Sequence, residues 1–118
     1  MMQKIQGEPR ELRELARYEV RPESLDACLA AIHEFAAYVR TSEPGALRYE
    51  VWQETTRPTR FVHLLVWRDA DAIRTHAESA AVKKFADVLY PNCLAPAEFI
   101  PYRQVDANAA FVRVAEPS

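Results

Sequence analysis

Glycine is nearly absent. Only Gly7 and Gly45 occur in 118 residues, too few for the glycine-rich loops that cradle phosphates in the common nucleotide folds. Cysteine is equally sparse. Cys28 and Cys93 lie far apart, with neither CxxC nor metal-type spacing, which argues against a disulfide scaffold or a zinc site. Neither sign of charge dominates: Lys and Arg number 15 and Asp and Glu 17, whereas a nucleic-acid binder should be clearly basic. No apolar run approaches the ~20 residues of a membrane span. The polar stretch Met1 to Leu12 lacks the apolar segment of a secretory signal. These absences predict a cytoplasmic protein with no nucleic-acid or membrane partner.

What is present is an ordinary globular composition, 49% apolar and 27% charged, enough to build one packed core. Residues 1–10 read as a flexible leader, 11–106 as the domain and 107–118 as a tail or dimer arm. A strand is expected from Leu12 to Val20, with Leu12, Ala16, Tyr18 and Val20 on one parity. Arg21-Pro22-Glu23-Ser24 opens a helix of about five turns. Its stripe is Leu25, Cys28, Leu29, Ile32, Ala36 and Val39, with Phe35 at the edge. Glu43-Pro44-Gly45 stops it. Leu47, Tyr49 and Val51 then alternate with Arg48, Glu50 and Trp52 in a strand over Ala46 to Gln53.

From Arg60 to Trp67 the next strand is apolar on both faces, so both should be buried. Asp69 caps a short helix through about His76, and Ser79 caps a second that carries Val82, Phe85, Ala86 and Leu89. A last strand is placed over Glu98 to Val105, with Pro101 marking an edge, and Ala109 to Val114 as a further short strand or arm. The order strand, helix, strand, strand, helix, strand gives an α+β sandwich with helices on one sheet face. The other face is left apolar, which predicts a homodimer packed sheet against sheet.

Specific residues then match a known family. Glu43-Pro44-Gly45 followed by Leu47, Tyr49 and Val51 resembles the EPG-x-L-x-Y-x-V core of antibiotic biosynthesis monooxygenase (ABM) domains. Trp67, Asp69, Ala72, His76 and Ser79 fall at that family's W-x-D-x-x-A-x-x-x-H-x-x-S spacing, with Phe61, Val82 and Phe85 alongside. Val20-Arg21-Pro22-Glu23 upstream and Pro96, Glu98 and Tyr102 downstream extend the resemblance over roughly Leu15 to Val105. The resemblance implies a ferredoxin-like βαββαβ fold, a dimeric α+β barrel, and a family that includes oxygenases acting on quinols and anthrones without metal or organic cofactor.

On that resemblance, no cofactor or metal is expected. Phe61, His63, Leu65 and Trp67 share one face of their strand and would line a pocket, with His76 carried to its mouth and Tyr18, Tyr49 and Phe85 as walls. The implied reaction oxidises an aromatic quinol, anthrone or polyketide-like molecule with molecular oxygen. A basic side chain removes a proton, and the anion passes an electron to oxygen. Histidine suits the proton-handling role, so the candidate catalytic residues are His63 as base or hydrogen-bond partner, His76 as a second polar group and Trp67 as the packing wall. Alternatives on the same scaffold are a non-catalytic ligand-binding dimer and an isomerase of a small carbonyl compound. The chain departs from many family members at Leu65, where an acidic residue is common, and His63 on the same face is expected to compensate. Haem-degrading members need an amide on the first strand, where this chain has Ala16 and Tyr18.

Overall fold

The computed structural model describes residues 11–107. Four strands form one antiparallel sheet in the order β2-β3-β1-β4: β1 (Leu12–Glu19), β2 (Ala46–Gln53), β3 (Arg60–Trp67) and β4 (Glu98–Tyr102). Helices α1 (Leu25–Ser42), α2 (Ala70–Ala77) and α3 (Ala80–Leu89) complete it, with 3-10 turns at Pro22–Ser24 and Tyr90–Asn92. This is the α+β ferredoxin-like arrangement expected from the order of elements.

Local chemistry explains the boundaries. Pro22 opens the turn that leads into α1, where its missing N–H costs nothing. The Asp69 side chain accepts from Ala72 N–H at 2.9 Å, and Ser79 Oγ accepts from Val82 N–H at 3.1 Å, so each N-cap satisfies one otherwise unpaired donor. Strand β3 pairs with β1 on one side and β2 on the other. A central strand is the one that can be apolar on both faces. Pro101 lies on the outer strand β4, where it disrupts no further ladder.

Several expectations are corrected. Strand β4 ends at Tyr102 rather than Val105, because its partner β1 begins at Leu12 and pairing stops at Arg13 opposite Tyr102. Leu47 does not alternate inward with Tyr49: the register with β3 shifts between Ala46 and Arg48, and this bulge leaves Leu47 48% exposed. In α1 the buried side chains are Cys28, Ile32, Phe35 and Val39. Phe35 therefore occupies the centre of the stripe and Ala36 its flank. The leader 1–10 and the segment Ala109 to Val114 lie outside the described residues. No helix among the described residues is long and apolar enough to cross a membrane.

The core has two parts. Tyr18, Val20, Cys28, Ile32, Phe61 and Leu89 pack at one end, and Leu65, Trp67 and Ala72 at the other. At the second, α2 closes on the start of β2 through the smallest residues available: a Cβ added to Gly45 would stand 2.5 Å from Ala72 Cβ. Overpacking of this kind costs about 1–3 kcal/mol. Gly45→Ala should therefore lower the urea midpoint, and Ala72→Gly in the same chain should restore part of the loss. An unchanged midpoint in Gly45→Ala would show that the seam yields freely.

Candidate active site

The helices cover one sheet face without filling it, and a cavity of about 280 Å³ remains between them. That is near the lower end for small-molecule pockets, roughly 300–1,000 Å³. The sheet contributes Ala16, Tyr18, Tyr49, His63, Leu65, Trp67 and Phe99 to its wall, and the helices Phe35, Ile73, His76 and Phe85. Seven of the eight residues singled out from the sequence thus meet here. Phe61 does not. It is 1% exposed, stacks behind Tyr18 at 5.7 Å between centroids, and belongs to the core beyond the cavity. Strand parity gives Phe61 the right face but the wrong depth.

The walls are a continuous set of rings. Trp67 meets His76 at 4.5 Å and His76 meets Phe35 at 5.5 Å. Phe35 stacks parallel on Phe85 at 4.6 Å, and Phe85 reaches His63 at 6.0 Å. Such offset and tilted contacts suit the ring quadrupoles and hold the walls rigid. Among the described residues no Lys or Arg lines the cavity, and Glu14 is its one acidic member. Arg17, Arg48 and Arg60 instead pair with Glu98, Glu50 and Glu19 outside it.

His63 is 4% exposed, and both ring nitrogens are occupied. Tyr18 Oη lies 2.6 Å from Nε2 and Tyr49 Oη 2.9 Å from Nδ1. Burial pushes the imidazole down to about 4 from its ordinary 6.5, because a low-dielectric site disfavours the cation. Burial raises both tyrosines for the same reason, tyrosinate being the charged form. His63 is therefore a neutral imidazole held between two neutral phenols.

His76 has a different partner, one the sequence reading missed. Its Nδ1 lies 2.7 Å from Glu43 Oε1, and Glu43 is buried with Oε2 lacking any partner among the described residues. A carboxylate accepting Nδ1–H fixes the tautomer of a neutral imidazole and leaves its lone pair on Nε2. The Gly45–Ala72 seam makes this possible. Ala72 and His76 stand one turn apart on one face of α2, so the close approach at Gly45 carries His76 to Glu43. Phe35, placed at a stripe's edge from the sequence, is the other omission; the i, i+4, i+7, i+11 spacing of Cys28, Ile32, Phe35 and Val39 was the available signal. Cys93 is half-buried, and burial raises its thiol rather than activating it.

The state of His63 has a consequence for stability. Its unfolded pKa is 6.5 and its folded value about 4, so between these the unfolded chain binds a proton that the fold refuses. Stability from this group is full above pH ~6.5 and falls as pH drops toward 4, by up to roughly 3 kcal/mol. Urea midpoints measured across that range should fall more steeply for the native chain than for His63→Gln. Parallel profiles would mean that His63 is protonated in the fold.

Comparison with known proteins agrees with this architecture. No curated protein matches the sequence. Among solved structures, a candidate antibiotic biosynthesis monooxygenase from Bacteroides thetaiotaomicron VPI-5482 superposes with a TM-score of 0.78 at 23% identity, over 82% of this chain and 91% of that one. A conserved protein from Methanosarcina mazei Go1 gives 0.74 at 23% identity, over 80% and 92%. A mutant of SnoaB, a cofactor-independent oxygenase from Streptomyces nogalater, gives 0.71 at 19% identity, over 83% and 96%. At these identities the likeness concerns the fold. The family model for antibiotic biosynthesis monooxygenases matches residues 12–88, from the first strand through the last helix, and the chain belongs to that family.

Proposed function

We propose that the protein is a monooxygenase that needs neither metal nor organic cofactor and oxidises a flat aromatic quinol or anthrone with molecular oxygen. The observation that carries this reading is the cavity itself: ring-walled, without cations, and furnished with two histidines in unlike environments. A phosphorylated or carboxylated substrate calls for Arg or Lys, and none lines this cavity among the described residues. An electron-rich ring suits walls of Trp67, Phe35 and Phe85. SnoaB, an oxygenase of the same fold, supports the reading by analogy.

In this mechanism His76 is the base. Its Nε2 lone pair takes the substrate's proton, and the resulting imidazolium forms beside the Glu43 carboxylate, which stabilises it. The aromatic anion then transfers an electron to dioxygen, and the caged radicals combine to a peroxide that loses water. Trp67 holds the ring and excludes solvent. Leu65 adds no carboxylate of its own, and the cavity's acidic side chain, Glu14, stands opposite Leu65 on β1. His63, bonded to the two phenols, meets the substrate as a neutral hydrogen-bonding group.

The same neutral group also suits an isomerase of a small carbonyl compound, since it passes a proton without holding charge. Oxygen uptake separates the two. Purified metal-free protein should consume oxygen with a panel of naphthoquinols and anthrones above the autoxidation background. His76→Ala should lower the rate by about 10²-fold or more, and Glu43→Gln should lower it in the same direction by less. No uptake across the panel would move the balance to the isomerase or to a non-catalytic binding role.

A second copy of the chain is the proposed partner. The sheet face away from the helices carries Leu15, Val62, Leu64 and Ile100, with Trp52 and Tyr102 each 54% exposed. An apolar face of this extent on a small domain calls for cover. Light scattering at micromolar concentration should give a dimer mass, and Leu64→Glu at the centre of the face should give the monomer. A monomeric native chain would remove the dimer.

A further inference from the structure

Tyr18, His63 and Tyr49 form a chain whose proton count is fixed by valence. Two phenols and one neutral imidazole hold three exchangeable protons, and the two hydrogen bonds at Nε2 and Nδ1 use two of them. The third must point out of the chain. When Tyr18 donates to Nε2, Nδ1–H donates to Tyr49, and the Tyr49 hydrogen is free. In the other tautomer Tyr49 donates to Nδ1, Nε2–H donates to Tyr18, and the Tyr18 hydrogen is free. Either way one tyrosine offers a donor and the other an open lone pair, and all three residues line the cavity. Their burial penalises tyrosinate and imidazolium alike. A proton can therefore cross this chain only by moves that create no charge within it.

We propose that Tyr18, His63 and Tyr49 are a charge-neutral proton relay, and that the substrate gives a proton to one tyrosine while a second oxygen in the same complex receives one from the other. This deepens the oxygenase reading and rests on it. In one direction, a substrate hydroxyl passes its proton to Tyr49 Oη, and Tyr49 passes its own to Nδ1. Nε2–H then moves to Tyr18 Oη, and Tyr18 releases its hydrogen to the receiving oxygen. Four bonds to hydrogen break, four form, and no electron moves within the relay. It ends in the mirror tautomer, and the reverse passage restores the first. In the emptied cavity one water gives a proton to Tyr18, Tyr18 passes its own to Nε2, Nδ1–H moves to Tyr49, and Tyr49 releases its hydrogen to a second water. In the oxygenase reaction the aromatic anion supplies the electrons and dioxygen accepts them, so the receiving oxygen is that of the nascent peroxide. The substrate class narrows to aromatic molecules with two acidic hydrogens, one given to His76 and one, on oxygen, given to the relay, whose far end meets the bound dioxygen. His76 takes the first proton from the substrate, and the relay handles the second.

The test uses Tyr18→Phe, Tyr49→Phe and the double variant, each of which keeps its ring and loses only hydroxyl. Quinol-dependent oxygen uptake should fall by about 10²-fold in each single variant. The double should fall no further, because a relay broken twice is no more broken than once. The rate in mixtures of light and heavy water should curve with deuterium fraction in the native protein and become linear in both single variants. Additive losses, or a linear dependence in the native protein, would overturn the relay while leaving the oxygenase reading intact. Should no quinol turn over, the oxygenase reading fails and the relay is read separately from the 15N shifts of the His63 ring. Around neutral pH both nitrogens should show values between the protonated and unprotonated extremes, as two exchanging tautomers require. Each Phe variant should settle to one protonated and one bare nitrogen. One fixed tautomer, or an imidazolium, in the native protein would end the relay by itself.

Discussion

Both nitrogens of a buried imidazole must be satisfied at once, and the arrangement around the cavity follows from how this chain does it. His63 lies in the middle of the central strand β3, opposite Ala16 on β1 and Val51 on β2. Its ring reaches one phenol from each neighbouring strand, Tyr18 and Tyr49, each offset by two residues from the position directly opposite. Side chains of one parity share a face, so three adjacent strands in this register suffice to build the cluster. The backing is equally specific: Phe61 stacks behind Tyr18, and Phe35 meets the edge of Tyr49. A polar cluster with every member satisfied fixes a unique packing, whereas one orphaned group in the same place costs about 1–3 kcal/mol.

Strands, helices and caps were legible because their signals are local. Asp69 and Ser79 act three residues ahead of the amides they accept from, and Arg60 to Trp67 shows its central position through apolarity on both faces. The candidate wall residues were legible to the extent that parity sets a face. Parity does not set depth, which is why Phe61 fell behind the cavity wall. Nor does it survive an inserted residue, which is why Leu47 turned outward at the bulge. Glu43 was illegible for a different reason. Beside Pro44 and Gly45 it has a sufficient local explanation as part of a helix stop, and its partner His76 is 33 residues away.

The spacing from Glu43 to His76 acquires a physical meaning once the seam is seen. Gly45 removes a Cβ that would collide with Ala72, Ala72 is the small residue that completes the fit, and Asp69 starts the helix that presents both Ala72 and His76. One further turn of that helix delivers the imidazole to the carboxylate. The run W-x-D-x-x-A-x-x-x-H therefore describes a strand end, a cap, a spacer and a functional group in the order the chain meets them. The glycine of the earlier EPG segment is the other half of the spacer. Its requirement is steric closeness.

Two histidines in one small cavity invite the assumption that they share a role, and their surroundings argue otherwise. In the proposed mechanism the group that keeps a proton through the electron transfer needs a counter-charge, which Glu43 supplies to His76. A group that must hand a proton on at once is better without one, because a nearby carboxylate would trap the cation and stall the transfer. Among the described residues only the two phenols lie within hydrogen-bonding reach of His63; the cavity's carboxylate, Glu14, stands opposite Leu65 on β1, where it makes no bond to the imidazole. Environments that push two like groups toward opposite protonation behaviour are how acid and base roles are separated in a single site. On this reasoning, an acid introduced at position 65 would not add a second base. It would favour imidazolium at His63 and convert the proposed relay into a proton trap, so on the oxygenase reading Leu65→Asp should bind a proton near neutral pH and slow oxygen uptake. The measurement is the pH titration of the His63 15N shifts beside the rate. A faster enzyme with an unprotonated His63 would show that the uncharged residue at position 65 is incidental.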